Sequence, residues 1–257
     1  MNSIYKKLTQ IEKSGEQAAL CIVIESNGST PRKASAKMIV YENGTIFGTI
    51  GGGNLEHLVT QEALKTIETQ KPGIFDYNLI LDANMNCGGF AKVYIEPIET
   101  QKQLFIFGAG HIGAFLAKIS LELGFNVTLI DEREEIFNKL SDANINTINK
   151  SHNDAFNELT FNKNTFICVA THNHKYDSEI VAYCAKQAYG YLGMIGSKNK
   201  IAKIRSAYLE NNILNESEME NINWPMGVNI KCETPQEIAI SILAKLVDVK
   251  VSKNKIK

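Results

Sequence analysis

Residues 103–131, QLFIFGAGHIGAFLAKISLELGFNVTLID, constrain the fold more than any other stretch of the chain. The apolar run Leu104-Phe105-Ile106-Phe107 reads as a buried strand, and Gly108, Gly110 and Gly113 follow it in the order G-x-G-x-x-G. A helical pattern through Phe115, Leu116, Ile119 and Leu123 closes at Gly124, and a second apolar run, Val127 to Ile130, ends in Asp131. Strand, glycine turn, helix, strand and acid in this order form the dinucleotide fingerprint of a Rossmann unit. Gly108 permits the tight turn, Gly110 lets backbone approach a pyrophosphate, and Gly113 lets helix and strand pack closely. The helix N-terminus offers N–H groups and partial positive charge to a phosphate. Asp131, about 20 residues on, stands where a ribose hydroxyl is bound in such units. A Rossmann scaffold whose crevice holds something else stays open on these grounds.

The remainder of the second half repeats the βα alternation. Strands are expected at 104–107, 126–130, 145–148, 165–169 and 191–195, and helices at 112–123, 133–140, 177–188, 198–211 and 235–249. Such alternation predicts a parallel sheet covered on both faces. Thr234, Pro235 and Glu237 supply N-cap, first helical residue and capping box for the last helix. The first hundred residues read differently. A short amphipathic helix at 4–13 precedes strands at 18–25, 38–41 and 45–50, the last two joined by the hairpin signal Asn43-Gly44. A helix from Leu55 to Thr69 and strands at 75–81 and 92–95 complete a small α+β unit. Two domains are expected, 1–100 and 101–257, the second a Rossmann-type α/β fold.

The chain has 257 residues, with a net charge of −1, and its pI is near 6.5, so no basic surface recommends nucleic acid or an anionic membrane. No apolar run reaches the length of a membrane span, and the first residues carry no apolar signal-peptide core, which together predict a cytoplasmic protein. Five cysteines without a C-x-x-C pair argue against a disulfide framework or structural zinc.

Several loops carry candidate chemistry. Arg32 follows Pro31 on the polar 26–33 loop, and its guanidinium fork suits phosphate or carboxylate. Gly51, Gly52 and Gly53 precede a helix and read as a backbone nest for an anion, with Glu56 in the first helical turn as ligand contact or as simple dipole chemistry. Cys87 sits among Asn86, Gly88 and Gly89, where a thiolate is approachable as a nucleophile or soft-metal ligand. Cys21, Cys168 and Cys184 lie in apolar elements and read as inert core thiols; Cys232 is undecided. His111 lies in the glycine turn. His172, His174 and Asp177 follow strand 165–169 at the same sheet edge, as metal ligands, acid–base groups, or a hydrogen-bonded loop with Asp177 as helix cap. Gly196, Ser197 and Lys198 follow the next strand, with Ser197 as cap and Lys198 as a phosphate partner.

These stretches together resemble the xanthine dehydrogenase accessory protein family, the XdhC/CoxI type. The matching segments are GSTPRKASAKMIV at 28–40, GTIGGGNLE at 48–56, CGG at 87–89 before VYIEP, FGAGHIG at 107–113 with LIDER, THNHKYD at 171–177, YLGMIGSKNK at 191–200, and MGVNIKCETPQEIAISILAKL at 226–246. The resemblance implies a non-catalytic maturation factor. Such proteins bind the molybdenum cofactor (molybdopterin) as cargo, hold it while a cysteine desulfurase installs sulfur, and deliver it to an apo molybdenum hydroxylase such as xanthine dehydrogenase. A homo-oligomer, a dimer, is expected. Two positions depart from the family pattern: Ser35 stands where Gly is usual, and Asn173 where Asp is usual. The other reading is an NAD(P)-dependent oxidoreductase or a nucleotide-binding redox sensor using the same crevice. No Tyr-x-x-x-Lys pair supports the oxidoreductase.

Overall fold

A computed structural model describes residues 3–28, 33–78, 89–138 and 144–254. The chain divides into two compact units, Met1–Thr100 and Gln101–Lys257.

The first unit contains α1 (Ile4–Ser14), β1 (Ala18–Gly28), β2 (Lys37–Tyr41), β3 (Ile46–Gly48), α2 (Gly53–Thr69), β4 (Gly73–Asn78) and β5 (Gly89–Pro97). Its sheet is antiparallel in the order β3-β2-β1-β5-β4. Strand alternation explains why helices cover both faces. Ala19, Cys21, Val23, Met38 and Val40 point one way and pack with Leu55, Val59, Ala63 and Ile67 of α2. Ala18, Leu20 and Ile39 point the other way and pack with Ile11 of α1. Asn43-Gly44 makes the expected hairpin, with Gly44 at φ 80° and the Asn43 side chain accepting from Thr45 N–H at 2.9 Å.

Ser35 has φ 77°, in the left-handed region that favours glycine. Its N–H donates to Val23 O at 2.8 Å, and Val23 N–H donates to Ala36 O at 3.0 Å, so the strained residue is pinned beside the β1–β2 ladder. This is a physical reason for glycine at that position. Ser35→Gly trades a left-handed penalty of about 1–2 kcal/mol against a larger entropy loss on folding of about 0.5–1 kcal/mol. The expected net result is a first unit stabilised by about 0.5–1 kcal/mol, read as a higher denaturant midpoint by circular dichroism. An unchanged or lower midpoint refutes it.

The second unit contains β6 (Lys102–Phe107), α3 (His111–Glu122), β7 (Phe125–Ile130), α4 (Glu134–Phe137), β8 (Asn146–Ile148), α5 (His152–Ala155), β9 (Thr165–Val169), α6 (His174–Cys184), β10 (Tyr191–Met194), α7 (Lys198–Glu210), α8 (Glu216–Glu220), β11 (Ile222–Asn223) and α9 (Pro235–Asn254). All six strands run parallel in the order β8-β7-β6-β9-β10-β11. That is the doubly wound Rossmann arrangement, whose order reverses at β6. Leu104, Ile106, Val127, Leu129 and Phe166 face α3 and α9 on one side, packing with Leu116, Ala239, Ile242 and Leu246. Phe105, Phe107, Ile167, Val169 and Leu192 face α6 and α7 on the other, packing with Ile180, Val181, Ile201 and Tyr208. The capping box at α9 forms as expected, with Glu237 Oε2 accepting from Thr234 N–H at 2.9 Å and Thr234 Oγ1 accepting from Glu237 N–H at 3.3 Å. The helix expected at 133–140 is described only as the single turn of α4, since 139–143 lie outside the described residues. Among the described residues no helix is long and apolar enough to cross a membrane.

Candidate functional site

The carboxyl edge of the second sheet is where an open α/β fold binds ligands. There β6 runs into the turn 108–110 and α3 begins at His111, with Gly110 as N-cap. The three fingerprint glycines have distinct geometric reasons. A Cβ on Gly108, at φ 107°, would sit 2.2 Å from Ala170 O, because the β6 and β9 turns press together where the strand order reverses. A Cβ on Gly113 would sit 1.8 Å from Gly108 O, because α3 rests on its own turn. A Cβ on Gly110 would meet nothing within 4 Å. Gly110 therefore borders open space at the N-terminal end of a twelve-residue helix, where a phosphate is favoured by unpaired N–H groups and the helix dipole.

Beside the turn lies a small cavity of about 30 Å³. Phe107, Gly108, Ile130, Asp131, Glu132, Lys150, His152, Thr171, His172, Tyr176 and Ile180 line it. Tyr176 meets His152 with ring centroids 5.0 Å apart and His172 edge-on at 5.9 Å, so aromatic rings form one wall. His152 is buried and bonds Glu179 at 2.9 Å. Of the residues singled out in the sequence, Gly108, Asp131 and His172 meet in this pocket. Gly110, His111 and Gly113 continue the same turn, but His111 is exposed and outside the lining.

Asp131 is engaged within the protein. Its Oδ2 accepts from Ala109 N–H at 2.8 Å and Arg133 Nη2 at 2.7 Å, and its Oδ1 accepts from Arg133 N–H at 3.1 Å and Nε at 2.8 Å. Burial opposes ionisation, but the Arg133 side chain and the Ala109 and Arg133 N–H groups outweigh it and hold the carboxyl below the usual range. Asp131, expected as a ribose contact, holds the glycine turn through these bonds. Arg133 gave no sequence signal beyond its place two residues after the acid.

The neighbouring turns close on each other. Asp177, fully buried, accepts from Thr171 N–H at 3.0 Å and Thr171 Oγ1 at 2.7 Å through Oδ1, and from Lys200 Nζ at 2.5 Å through Oδ2. This ties the β9–α6 turn to the β10–α7 turn. One expectation is corrected here, that of the cap, and the neighbouring lysines and histidine are placed. The cap of α6 is Asn173, which accepts from Lys175 N–H at 2.9 Å, and not Asp177; Asn and Asp cap about equally well, so the departure at 173 costs the fold little. Lys200 is the lysine of the 196–200 segment that pairs with Asp177, while Lys198, expected as a phosphate partner, is the exposed first residue of α7. His174 is 3.9 Å from Asp177 with an 81% exposed side chain, and among the described residues no group of three or more His, Cys, Asp or Glu converges on a metal position. Lys200 carries no sequence signal, since its partner lies 23 residues away. Ser197 caps α7 as expected, accepting from Lys200 N–H at 3.2 Å, directly after Gly196.

In the first unit Gly51, Gly52 and Gly53 all have positive φ (141°, 81° and 62°), so the turn needs glycine there. A carboxylate of the chain itself lies against it. Glu56 Oε1 accepts from Thr49 Oγ1 at 2.5 Å, Gly52 N–H at 2.8 Å and Ile50 N–H at 3.0 Å. Burial pushes against ionisation, and these bonds, led by that from Thr49, overcome it and lower the Glu56 pKa. The anion expected at 51–53 would therefore meet a turn where Glu56 already takes the Gly52 N–H and Thr49 the Gly51 N–H. Arg32, Cys87 and Gly88 lie outside the described residues. Cys21, Cys168 and Cys184 are buried, as expected, and burial pushes the Cys21 thiol up to about 12 and the other two up as well. Cys232 is partly buried, with Sγ donating to Glu237 O at 3.5 Å.

Fold and site together define a two-unit protein whose second unit is a Rossmann domain with a pocket at its switch point. The sequence profile of the XdhC Rossmann domain matches residues 104–246, and that of the XdhC and CoxI family matches residues 11–78. The chain belongs to the XdhC/CoxI family. It is similar to the uncharacterized Escherichia coli protein YqeB, with 31% identity over 96% of this chain and 46% of the relative. It is also similar to a Bacillus subtilis protein named as a probable component of xanthine dehydrogenase, with 25% identity over 96% of this chain and 64% of the relative. The chain therefore spans about half to two thirds of the length of these relatives. A Bacillus halodurans structure described as a xanthine dehydrogenase shares the fold at a TM-score of 0.54 and 21% identity, over 98% of this chain and 97% of that one.

Proposed function

We propose that the protein is a non-catalytic accessory factor of a xanthine dehydrogenase-like enzyme. It binds the molybdenum cofactor, holds it for sulfuration by a cysteine desulfurase, and delivers it to the apo-enzyme. The observation that carries the reading is family membership, which extends through both units and includes a relative named for xanthine dehydrogenase. The cargo needs a soft ligand for its metal. Cys21, Cys168 and Cys184 are buried with raised pKa values and do not serve; Cys87 in its polar, glycine-flanked segment is the thiol we assign to it. Arg32 is the guanidinium we assign to the cargo's phosphate.

The oxidoreductase reading lacks the Tyr-x-x-x-Lys pair that would supply a placed proton donor. Reconstitution separates the readings. Cofactor-loaded protein should activate an apo molybdenum hydroxylase from its own host with a scavenger of free cofactor present. Cys87→Ser should carry at least about tenfold less molybdenum, the loss expected for a removed ligand-shell contact. Full loading of Cys87→Ser, no activation by loaded wild type, or steady NAD(P)H turnover by the protein alone each overturn the proposal.

A further inference from the structure

We propose that the groove between α1 and the end of β5, in the first unit, is a docking site for a basic, amphipathic segment of a partner protein. The two faces of that unit's sheet are covered unequally. α2 lies over one face, along β2, β1 and β5. On the other face α1 packs through Leu8 and Ile11 on Ala18, Leu20 and Ile39, which belong to β1 and β2. The β5 and β4 half of that face stays open: Ile74 of β4 is 60% exposed and stands in one cross-strand row with Tyr94 and Ile22. Where the cover of α1 ends there is a groove of about 640 Å³. Leu8, Leu20 and Ile98 give it apolar surface. Glu12 of α1, Glu96 of β5 and Glu99 beyond β5 line it as well, and among the described residues that line it none is Lys, Arg or His. Lys37 reaches the rim, with its ammonium over the Tyr5 ring and bonded to Ser35 O, but is not in the lining. An apolar groove with acids of one sign selects its occupant by charge. An acidic surface would meet three like charges, and a lone metal cation would leave the apolar wall in water. A segment with apolar side chains along one face and Lys or Arg beside them satisfies both, in the helix-in-groove manner. Three carboxylates on separate stretches of chain call for several cations carried on one body, and the groove has the volume to receive one.

The inference is independent of the carrier role; failure of apo-enzyme activation would leave it standing, and its own failure would leave the carrier reading standing. The probe is a synthetic, end-capped peptide of leucine and lysine at amphipathic helical spacing, labelled and titrated with the full chain by fluorescence anisotropy. It should bind, and the same peptide with glutamate for every lysine should not. Glu12 and Glu99 are exposed, and Glu12 lies in the last turn of α1, where lysine suits the helix dipole, so charge reversal at either spares the fold. Glu12→Lys and Glu99→Lys should each weaken the lysine peptide about fivefold, one exposed pair being lost and a repulsion of similar size gained. Glu210→Lys, at the exposed end of α7 in the second unit, changes the net charge equally and should leave binding unchanged. The proposal is overturned by absence of binding at millimolar concentration, by equal binding of the glutamate peptide, or by equal effects of Glu99→Lys and Glu210→Lys. Self-association of the wild type that Glu99→Lys abolishes would give the groove to a second copy, and displacement of the peptide by an equal concentration of spermidine would give it to a small polycation; either result overturns the proposal as well.

Discussion

Replacing Gly113 by alanine is expected to unfold the second unit under conditions where the wild type is folded. The added carbon would stand 1.8 Å from Gly108 O and 3.0 Å from Gly108 C, both backbone atoms. The turn cannot retreat, because Gly108 is itself pressed against the Ala170 carbonyl on the next strand's turn. Relief requires moving α3 off β6, which opens the core around Leu116 and Ala117. A loss of about 3 kcal/mol or more is expected, at or above the upper end of the usual overpacking range because the clash is with backbone. Trp224 is the single tryptophan and lies in the second unit, so its fluorescence during denaturant unfolding follows that unit. A midpoint within experimental error of wild type would mean that the helix can slide, and would contradict the close packing described for the turn.

Lys200→Met should be nearly as damaging, for an electrostatic reason. It leaves the Asp177 carboxylate, 1% exposed, without its cation, while the two bonds from Thr171 remain. Removing one partner of a buried pair costs about 3–5 kcal/mol, and the 12% exposure of the Lys200 side chain puts the expectation at the lower end, about 3 kcal/mol. Adding Asp177→Asn should recover much of that loss, because the neutral amide still accepts from Thr171 and no charge is stranded. The double-mutant cycle should therefore show a coupling of more than about 1 kcal/mol. Additive losses would show that the pair is only a contact between two independently tolerated groups.

Much of the architecture was legible because it rests on local signals. The glycine spacing, the apolar strand runs and the caps at Ser197 and Thr234 each need only a few neighbouring residues, and the parallel sheet follows from their alternation. The candidate site was less legible because its decisive bonds are between residues far apart in sequence. Nothing near Asp131 shows that Ala109, 22 residues earlier, will occupy one of its oxygens. Nothing near Asp177 selects Lys200 over Lys198; that choice is made when the β9 and β10 turns are brought side by side in the sheet. The glycine turn at 51–53 was legible in sequence, but not that Glu56 would reach back over its own helix start to take the Ile50 and Gly52 N–H groups. Ser35 shows the opposite case, where a departure visible in sequence acquires its meaning only from a backbone angle.

The clasp of Asp131 on Ala109 also bears on kinetics. Two strands' ends are joined there by bonds internal to the chain, so the turn holds its shape before any ligand arrives. A molecule docking at Gly110 then needs orientation but no folding of the loop, and little ordering entropy is lost on contact. Capture should run at the rate common to preformed sites, roughly 10⁵–10⁷ M⁻¹s⁻¹, and be much the same for every anion of suitable size. Selection among such anions falls to how long each one stays, which is set by the side chains lining the pocket and not by the turn that first receives it.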